Sequence, residues 1–185
     1  MPTLTHAIHK LTGGPLFYGW YIVLAGASTQ VLVGGVVGFS FGIFIEPIRD
    51  ELGWSVAVIT IGYSLRAFES GLMAPFTGYL VDRYGPRRMA ISGILIVCAG
   101  ILVFAQAETI YEYYGSSLVI AIGQSAGGFT PFSAAVMNWF QRHRGRAMGL
   151  LFSGNAVGYM IAPVVAILIT QFGWRATLVI AAFTI

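Results

Sequence analysis

Charge is scarce in this sequence. Of 185 residues only 9% are charged and 57% are hydrophobic, whereas about 25% of residues are charged in an ordinary soluble domain. This deficit excludes a water-soluble globular protein. The ten lysine and arginine residues contribute to a net charge of +3, but they are scattered between apolar runs and form no basic face. The sequence therefore predicts no nucleic-acid partner.

Cysteine and histidine are also rare. The single cysteine, Cys98, permits no internal disulfide. The histidines His6, His9 and His143 lie outside the apolar runs, so no histidine in this sequence can activate a serine at membrane depth. This disfavours an intramembrane serine protease, although residues 123–127 match the G-x-S-x-G pattern. With no metal-ligand cluster and no phosphate-binding loop, we predict a protein that is not an enzyme and holds no metal or cofactor.

Long uncharged runs predict membrane-spanning helices, because a bilayer core of about 30 Å requires about 20 helical residues. Residues 11–45, 89–107, 113–141 and 147–174 carry no charge, and 54–81 is interrupted only by Arg66 and Glu69. We predict an all-α membrane protein with a six-helix bundle. A cytoplasmic N-terminal segment at 1–16 precedes spans at about 17–45, 55–81, 89–107, 114–139, 147–171 and 174–185.

The first predicted span lies in a long apolar run, and the last is short. The first apolar run exceeds the core of a signal peptide, which has about 7 to 15 residues, and is predicted to stay as a span. In the sixth, ten residues follow Arg175. They rise about 15 Å as a helix, half the hydrocarbon thickness. We therefore expect the sixth helix to continue beyond residue 185.

The distribution of lysine and arginine predicts the orientation. Only Arg49 and Arg175 lie in the links after spans one, three and five, beside five acidic residues. Most of the others lie before span one or after spans two and four, which the positive-inside rule places in the cytoplasm. This cytoplasmic set comprises Lys10, Arg83, Arg87, Arg88, Arg142, Arg144 and Arg146.

Glycines recur at helical spacing within the predicted spans. Small residues at this spacing let helix backbones approach closely, so each stripe is predicted to pack against a neighbouring span. A second interpretation is that these faces also slide against a partner. The stripes are Gly34, Gly38 and Gly42 in span one, Gly123 and Gly127 in span four, and Gly154, Gly158 and Ala162 in span five.

Arg66 and Glu69 are the most informative polar residues. Both fall near the middle of the second span, where a charged side chain costs several kcal/mol unless it is paired or faces a water-filled cavity. At positions i and i+3 they share a helix face and can pair with each other. Two hypotheses follow: an intrahelical ion pair that only fixes packing, or a substrate or proton site with Arg66 as anion partner and Glu69 as titratable carboxylate.

Weaker polar candidates lie on other spans. Gln30 falls in span one, Gln124 beside Ser125 in span four, and Asn155 in span five. Each is either an interhelical hydrogen-bonding residue or a contact on a substrate or proton pathway. The sequence leaves both interpretations open.

The link after span two carries a motif. It runs from Gly78 through Asp82 and Arg83 to Gly85, and closes with a basic pair. Gly78 is expected to admit a close helix neighbour, and Asp82 to face a helix N-terminus or an arginine. This stretch resembles the G-x-x-x-D-R-x-G-x-R-R signature of the major facilitator superfamily, which the basic pair Arg87 and Arg88 completes.

Further stretches resemble the monocarboxylate porter branch of that superfamily, including its oxalate/formate-like relatives. They are residues 17–20, 41–44, 52–55, 144–149 and 172–175. The resemblance implies a twelve-span secondary transporter of which this chain is the N-terminal six-helix half, with alternating access around a cavity between the halves. It also implies a small carboxylate substrate, moved by proton symport or anion exchange, and a bacterial inner membrane as location. In that family the motif latches the two halves, a role transferred to Gly78, Asp82, Arg83, Gly85, Arg87 and Arg88.

The sequence also departs from the family pattern. Animal monocarboxylate porters place a lysine in span one, and the matching position here is Phe39. The acidic residue usual before the glycine and tryptophan of span one is absent, since Phe17 and Tyr18 stand there. Cationic residues for an anionic substrate then lie in the missing second half, or Arg66 supplies one. The alternative function is a non-transporting membrane protein, either a sensor or a half-size subunit that dimerises.

Overall fold

A computed structural model describes the backbone of residues 18–185 and the side chains from Gly19 onward. The 1–16 segment, His6, His9, Lys10 and Phe17 therefore lie outside the described residues. Within them the chain is helical and contains no strand. The helices are α1 (Tyr18–Thr29), a π-helical segment (Gln30–Phe39), α2 (Phe41–Leu52), α3 (Val56–Tyr84), α4 (Pro86–Ala105), α5 (Ile110–Gly127), α6 (Phe129–Trp139), α7 (Arg144–Tyr159) and α8 (Ala162–Thr184).

The helices form six spans. By length and composition, Gly19–Phe39, Pro86–Ala105, Ile110–Trp139 and Arg144–Thr184 can cross a membrane. The last stretch contains two spans, because Gly173 has a φ of 80° and breaks α8. We number the spans as one (18–45), two (Val56–Tyr84), three (Pro86–Ala105), four (Ile110–Trp139), five (144–172) and six (174–184); the remainder of α2, to Leu52, extends beyond span one. Span two has 29 residues, and it carries the charged residues of the candidate site.

Spans three and four pack backbone against backbone. A Cβ atom added to Gly123 would lie 2.6 Å from the nitrogen of Val97, and one added to Gly127 would lie 2.7 Å from the carbonyl carbon of Gly93. An added Cβ at Gly93 would overlap the backbone nitrogen of Gly127. The stripe predicted in span four is confirmed as a packing face, and its partner is Gly93.

Spans one and five also pack closely, though not through the stripe predicted in span one. A Cβ on Gly154 would lie 2.5 Å from the carbonyl oxygen of Ala27, and one on Gly35 would lie 2.9 Å from that of Gly158. Nothing described lies within 4 Å of such an atom at Gly38 or Gly42. That part of the prediction was wrong within the described residues, because the close contact of span one with span five falls at Gly35, outside the predicted stripe.

Contacts at the two ends show that the spans alternate in direction. At one end Arg175, which opens span six, donates to the carbonyl oxygen of Ala105 at the end of span three. It also pairs with Glu51 near the end of α2, beyond span one. At the other end the ring of Trp20, near the start of span one, packs edge-on against Phe140 after span four, with centroids 5.1 Å apart. The arginine-rich links lie at the Trp20 end.

Candidate functional site

Arg66 lies in the middle of span two and faces the interior of the bundle. It is 6% exposed, and its Nη2 donates a hydrogen bond of 3.3 Å to Oγ of Ser117 in span four. The guanidinium carbon lies 5.8 Å from the centre of the Phe104 ring in span three. Spans two, three and four together therefore enclose this side chain.

Glu69 lies one turn further along span two and is 7% exposed. Its Oε2 accepts a hydrogen bond of 3.4 Å from Oγ of Ser125 in span four. Its Oε1 is buried and has no hydrogen-bond partner among the described residues, and the same holds for Nε of Arg66. Both charged groups are thus only partly satisfied, which is uncommon for buried polar atoms.

The ion pair envisaged between Arg66 and Glu69 does not form, so that hypothesis was wrong for this conformation. The salt bridge found in the described chain joins Arg175 to Glu51 instead. The reason lies in the spacing of the partners. Ser117 and Ser125 are about 12 Å apart along span four, whereas Arg66 and Glu69 are only about 4.5 Å apart along span two. Because both spans run in the same direction, the two side chains diverge toward their serines.

The other polar candidates lie elsewhere in the bundle. Gln30 is buried where the π-helical segment begins. Asn155 of span five is half-buried, and its Oδ1 lies 3.5 Å from where a Cβ on Gly34 would stand. Gln124, also half-buried, directly precedes the Ser125 that binds Glu69. The structure thus places one group on spans two and four and another on spans one and five.

Phe39, at the position of the family's lysine, makes an aromatic contact. Its ring stacks on Tyr159 of span five, with centroids 3.6 Å apart and planes 25° apart. No charge therefore stands at this junction of spans one and five. Arg66, considered above as a substitute for the lysine, lies instead inside the half-bundle against Phe104 and Ser117.

The motif after span two is largely exposed. Asp82, Arg83, Arg87 and Arg88 are all exposed. Nη1 of Arg83 donates a hydrogen bond of 3.2 Å to Tyr79 Oη, and its guanidinium lies 5.6 Å from the centre of the Tyr84 ring. Among the described residues no hydrogen bond or ion pair involves the carboxylate of Asp82. The expected contact of Asp82 with a helix N-terminus or an arginine is therefore not present in this half.

The two glycines of the motif differ in backbone conformation and in surroundings. Gly85 has a φ of 84°, which favours glycine, and it is the single residue between α3 and α4. Gly78 has nothing within 4 Å of an added Cβ among the described residues. The expectation that Gly78 admits a close helix was therefore wrong for this half of the molecule.

A network that the sequence analysis missed closes the opposite end of the bundle. Arg175 donates from Nε to Glu51 Oε1 at 2.7 Å, and from Nη1 and Nη2 to the carbonyls of Ala105 and Ala107. Trp174 Nε1 donates to Glu51 Oε2 at 2.6 Å. We call these residues the outer clamp; they join spans one, three and six. The hydrogen bond from Arg175 lowers the pKa of the Glu51 carboxyl below its usual value, although burial opposes this.

Comparison with known proteins places these features in a family. The sequence model of the family "Major Facilitator Superfamily" matches residues 11–185 of this chain. The chain is 34% identical to "Riboflavin transporter RibJ" of Trypanosoma cruzi, over 86% of this chain and 34% of the relative. It is 33% identical to "Fujikurins efflux protein" of Gibberella fujikuroi (76% and 30%) and 28% identical to "Monocarboxylate transporter 13" of Bos taurus (88% and 38%). The chain thus spans between three and four tenths of the length of these relatives.

Proposed function

Because the chain belongs to the major facilitator superfamily, we propose that it works as half of a secondary transporter for small organic anions. The fold is that of an all-α membrane protein, the N-terminal half of a major facilitator transporter, and family members are transporters, not enzymes. The proposed mechanism is alternating access, with proton symport or anion exchange. The observation that carries it is Glu69, a buried and only half-satisfied carboxyl group inside a membrane span.

Glu69 has the properties of a proton carrier. One oxygen accepts from Ser125, and the other, Oε1, has no partner among the described residues. A carboxyl group changes charge when it binds a proton, and intramembrane carboxyl groups mark proton and ion pathways. We assign Gln124 to the same pathway, and Gln30 and Asn155 to the wall formed by spans one and five.

The orientation and location are also proposals. The arginine-rich links lie together at the Trp20 end of the bundle, and the positive-inside rule assigns that end to the cytoplasm. Relatives include a Bacillus subtilis protein as well as trypanosome, fungal and mammalian ones. A location in a membrane is therefore supported generally, and the bacterial inner membrane remains a prediction.

The open surroundings of the motif support the latch role proposed for it. Among the described residues nothing lies within 4 Å of an added Cβ at Gly78, and Asp82, Arg83, Arg87 and Arg88 are exposed. In the complete transporter these side chains are available to the second half. We propose that Gly85 turns the chain and that the remaining motif residues hold the two halves in one conformation.

Uptake measurements test this proposal. Full-length transporter in proteoliposomes is expected to accumulate at least one of lactate, pyruvate, formate and oxalate above protein-free vesicles. The initial rate is expected to depend on a proton gradient or on an internal exchange anion. Asp82→Asn removes the latch charge without disturbing a packed side chain, so the rate is expected to fall about tenfold, with the amount inserted unchanged. If none of the four anions enters, the sensor or dimerising-subunit hypothesis replaces this one.

A groove in the half-bundle lies in the direction in which span six runs. It has a volume of about 630 Å³ and lies between spans one, three and four at the Trp20 end, where Tyr21, Arg87 and Trp139 are among its lining residues. Span six packs against span three near the outer clamp, where the ring of Trp174 contacts that of Phe104. A helix in line with span six would run between spans one and three into this groove. We propose that such a continuation fills it in the full-length transporter.

A pair of substitutions on one helix tests the groove. Ile91 lines it, whereas Leu95, also exposed on span three, does not. If a helix fills the groove, Ile91→Trp overpacks it and destabilises the full-length protein by about 2 kcal/mol, while Leu95→Trp changes stability little. Melting temperatures in detergent decide the matter. Equal melting temperatures of the two variants would mean that lipid or detergent, not a helix, occupies the groove.

A further inference from the structure

Spans one and five are both interrupted where they meet. In span one the π-helical segment ends at Phe39, and Ser40 separates it from α2. In span five α7 ends at Tyr159, near the middle of the span, and α8 begins at Ala162. The two interruptions are in contact, because the rings of Phe39 and Tyr159 stack with their centroids 3.6 Å apart. Two neighbouring spans therefore change helix at one level of the bundle.

The interruption of span five is not expected to face lipid. Pro163 has no backbone N–H, so the carbonyl oxygen of Tyr159 lacks the donor that a continuous helix provides one turn further on. Inside a bilayer, non-helical backbone is tolerated only where protein covers it or where it lines a water-filled cavity. Tyr159 is 60% exposed, so the half-bundle itself leaves this position open. This face of spans one and five therefore belongs on the side of the cavity between the two halves.

An amide group lies beside the two rings. Oδ1 of Asn155 and the ring of Phe39 both stand 3.5 Å from the position of a Cβ on Gly34, so the amide and the ring are neighbours. Asn155 precedes Tyr159 by one turn of α7, and positions four apart share a helix face. Among the described residues, neither the Asn155 amide nor the Tyr159 hydroxyl has a hydrogen-bond partner. An aromatic surface and unpaired hydrogen-bond donors thus lie together on one face.

These groups fit an anion that carries a planar ring. Aromatic rings attract each other in offset stacked or edge-on arrangements, which stabilise a bound ring beyond the area that it buries. The side-chain amide of Asn155 has two N–H donors, and a carboxylate accepts hydrogen bonds from such donors. An aliphatic anion such as formate or oxalate has no ring to place against Tyr159. The aromatic pair therefore favours one class of organic anion.

We propose that Phe39, Tyr159 and Asn155 form a subsite that selects organic anions with an aromatic ring. The ring of the substrate stacks on Tyr159, and the amide of Asn155 donates to its carboxylate. Phe39 is a positioning residue, because its ring supports that of Tyr159. The inference rests on the proposed function, since it specifies which anions the transporter prefers.

Matched substrates test the preference. Phenylpyruvate differs from pyruvate by a phenyl group, and cyclohexylpyruvate has a ring of similar size that is not planar. Initial rates are measured with full-length transporter in proteoliposomes, after subtraction of the rates in protein-free vesicles. The KM for phenylpyruvate is expected to be about tenfold below that for pyruvate and about fivefold below that for cyclohexylpyruvate. Equal KM values in either comparison would overturn the inference, because stacking on a planar ring would then contribute nothing.

Variants locate the subsite. Tyr159→Leu keeps an apolar side chain and removes the ring, so the preference for phenylpyruvate over pyruvate is expected to disappear, whereas Tyr159→Phe should keep it. Phe152→Leu is the matched control and should also keep it, because Phe152 is on the same span, is 52% exposed and contacts another ring, that of Phe129. Asn155→Ala is expected to raise the KM for both anions alike, by about tenfold.

The outcomes separate this inference from the proposed function. A Tyr159→Leu variant that melts at a lower temperature but keeps the preference would mean that the second half packs on this face, and the subsite would be refuted. If that variant does not insert, the substrate comparison in the wild-type protein decides. Uptake of formate or oxalate without a preference for phenylpyruvate would refute the subsite and leave the proposed function standing. Uptake of none of these anions would overturn both.

Discussion

Replacing Gly93 with alanine is expected to lower the stability of the full-length protein by about 3 kcal/mol. The added Cβ would overlap the backbone nitrogen of Gly127 on span four. A flexible side chain moves aside at little cost, but the obstacle here is a helix backbone. The two spans must therefore separate, which weakens every contact along their length. The measurement is the melting temperature in detergent, together with the monodisperse fraction on size-exclusion chromatography.

Gly115→Ala is the matched control for this substitution. Gly115 also lies in a helix, on span four, but an added Cβ there meets nothing within 4 Å. Since alanine favours helix over glycine by about 1 kcal/mol, this variant is expected to be neutral or slightly stabilised. Equal destabilisation by the two changes would show that the close contact of spans three and four does not exist in the folded transporter.

The contrast between these glycines shows how far the sequence predicts the packing. Gly123 and Gly127 are four residues apart, and this spacing predicts a packing face. On span three they meet the backbone of Gly93 and its neighbours, and no stripe of small residues at four-residue spacing includes Gly93. In span one the close contact with span five falls at Gly35, and an added Cβ at Gly38 or Gly42 meets nothing within 4 Å among the described residues. The four-residue spacing alone therefore does not identify which glycine lies against the neighbouring span.

The sequence also predicts only part of the candidate site. The position of Arg66 and Glu69 in the middle of an apolar run predicts two charges at membrane depth. Their partners are Ser117 and Ser125, 51 and 56 residues away in the chain. The sequence distance gives no hint of these contacts, because they depend on which spans are neighbours. The nearest opposite charge in sequence therefore looked like the natural partner.

Arg175→Ala is expected to destabilise the full-length protein by about 2 kcal/mol. Arg175 belongs to the outer clamp, whose partners are also far apart in the sequence. The guanidinium donates to the carbonyls of Ala105 and Ala107, and these acceptors lose their donor in the variant. The bond to Glu51 adds less, since the two side chains are 32% and 48% exposed and water screens them. Arg49→Ala, which removes an exposed arginine at the same end, is the control and is expected to leave the melting temperature unchanged.

The contribution of Glu51 is expected to depend on pH. Its pKa is lowered in the folded protein, chiefly by the hydrogen bond from Arg175, from an ordinary value of 4.5. A carboxyl group with a lowered pKa stabilises the fold above its unfolded pKa and loses that contribution as pH falls through its folded pKa. Glu51→Gln should therefore melt below wild type at pH 7, and the difference should shrink as pH falls below about 4.5. A difference that is constant between pH 7 and pH 3 would show that the charge of Glu51 does not hold spans one and six together. The contacts of Arg175 with span three would then account for the whole effect of the clamp.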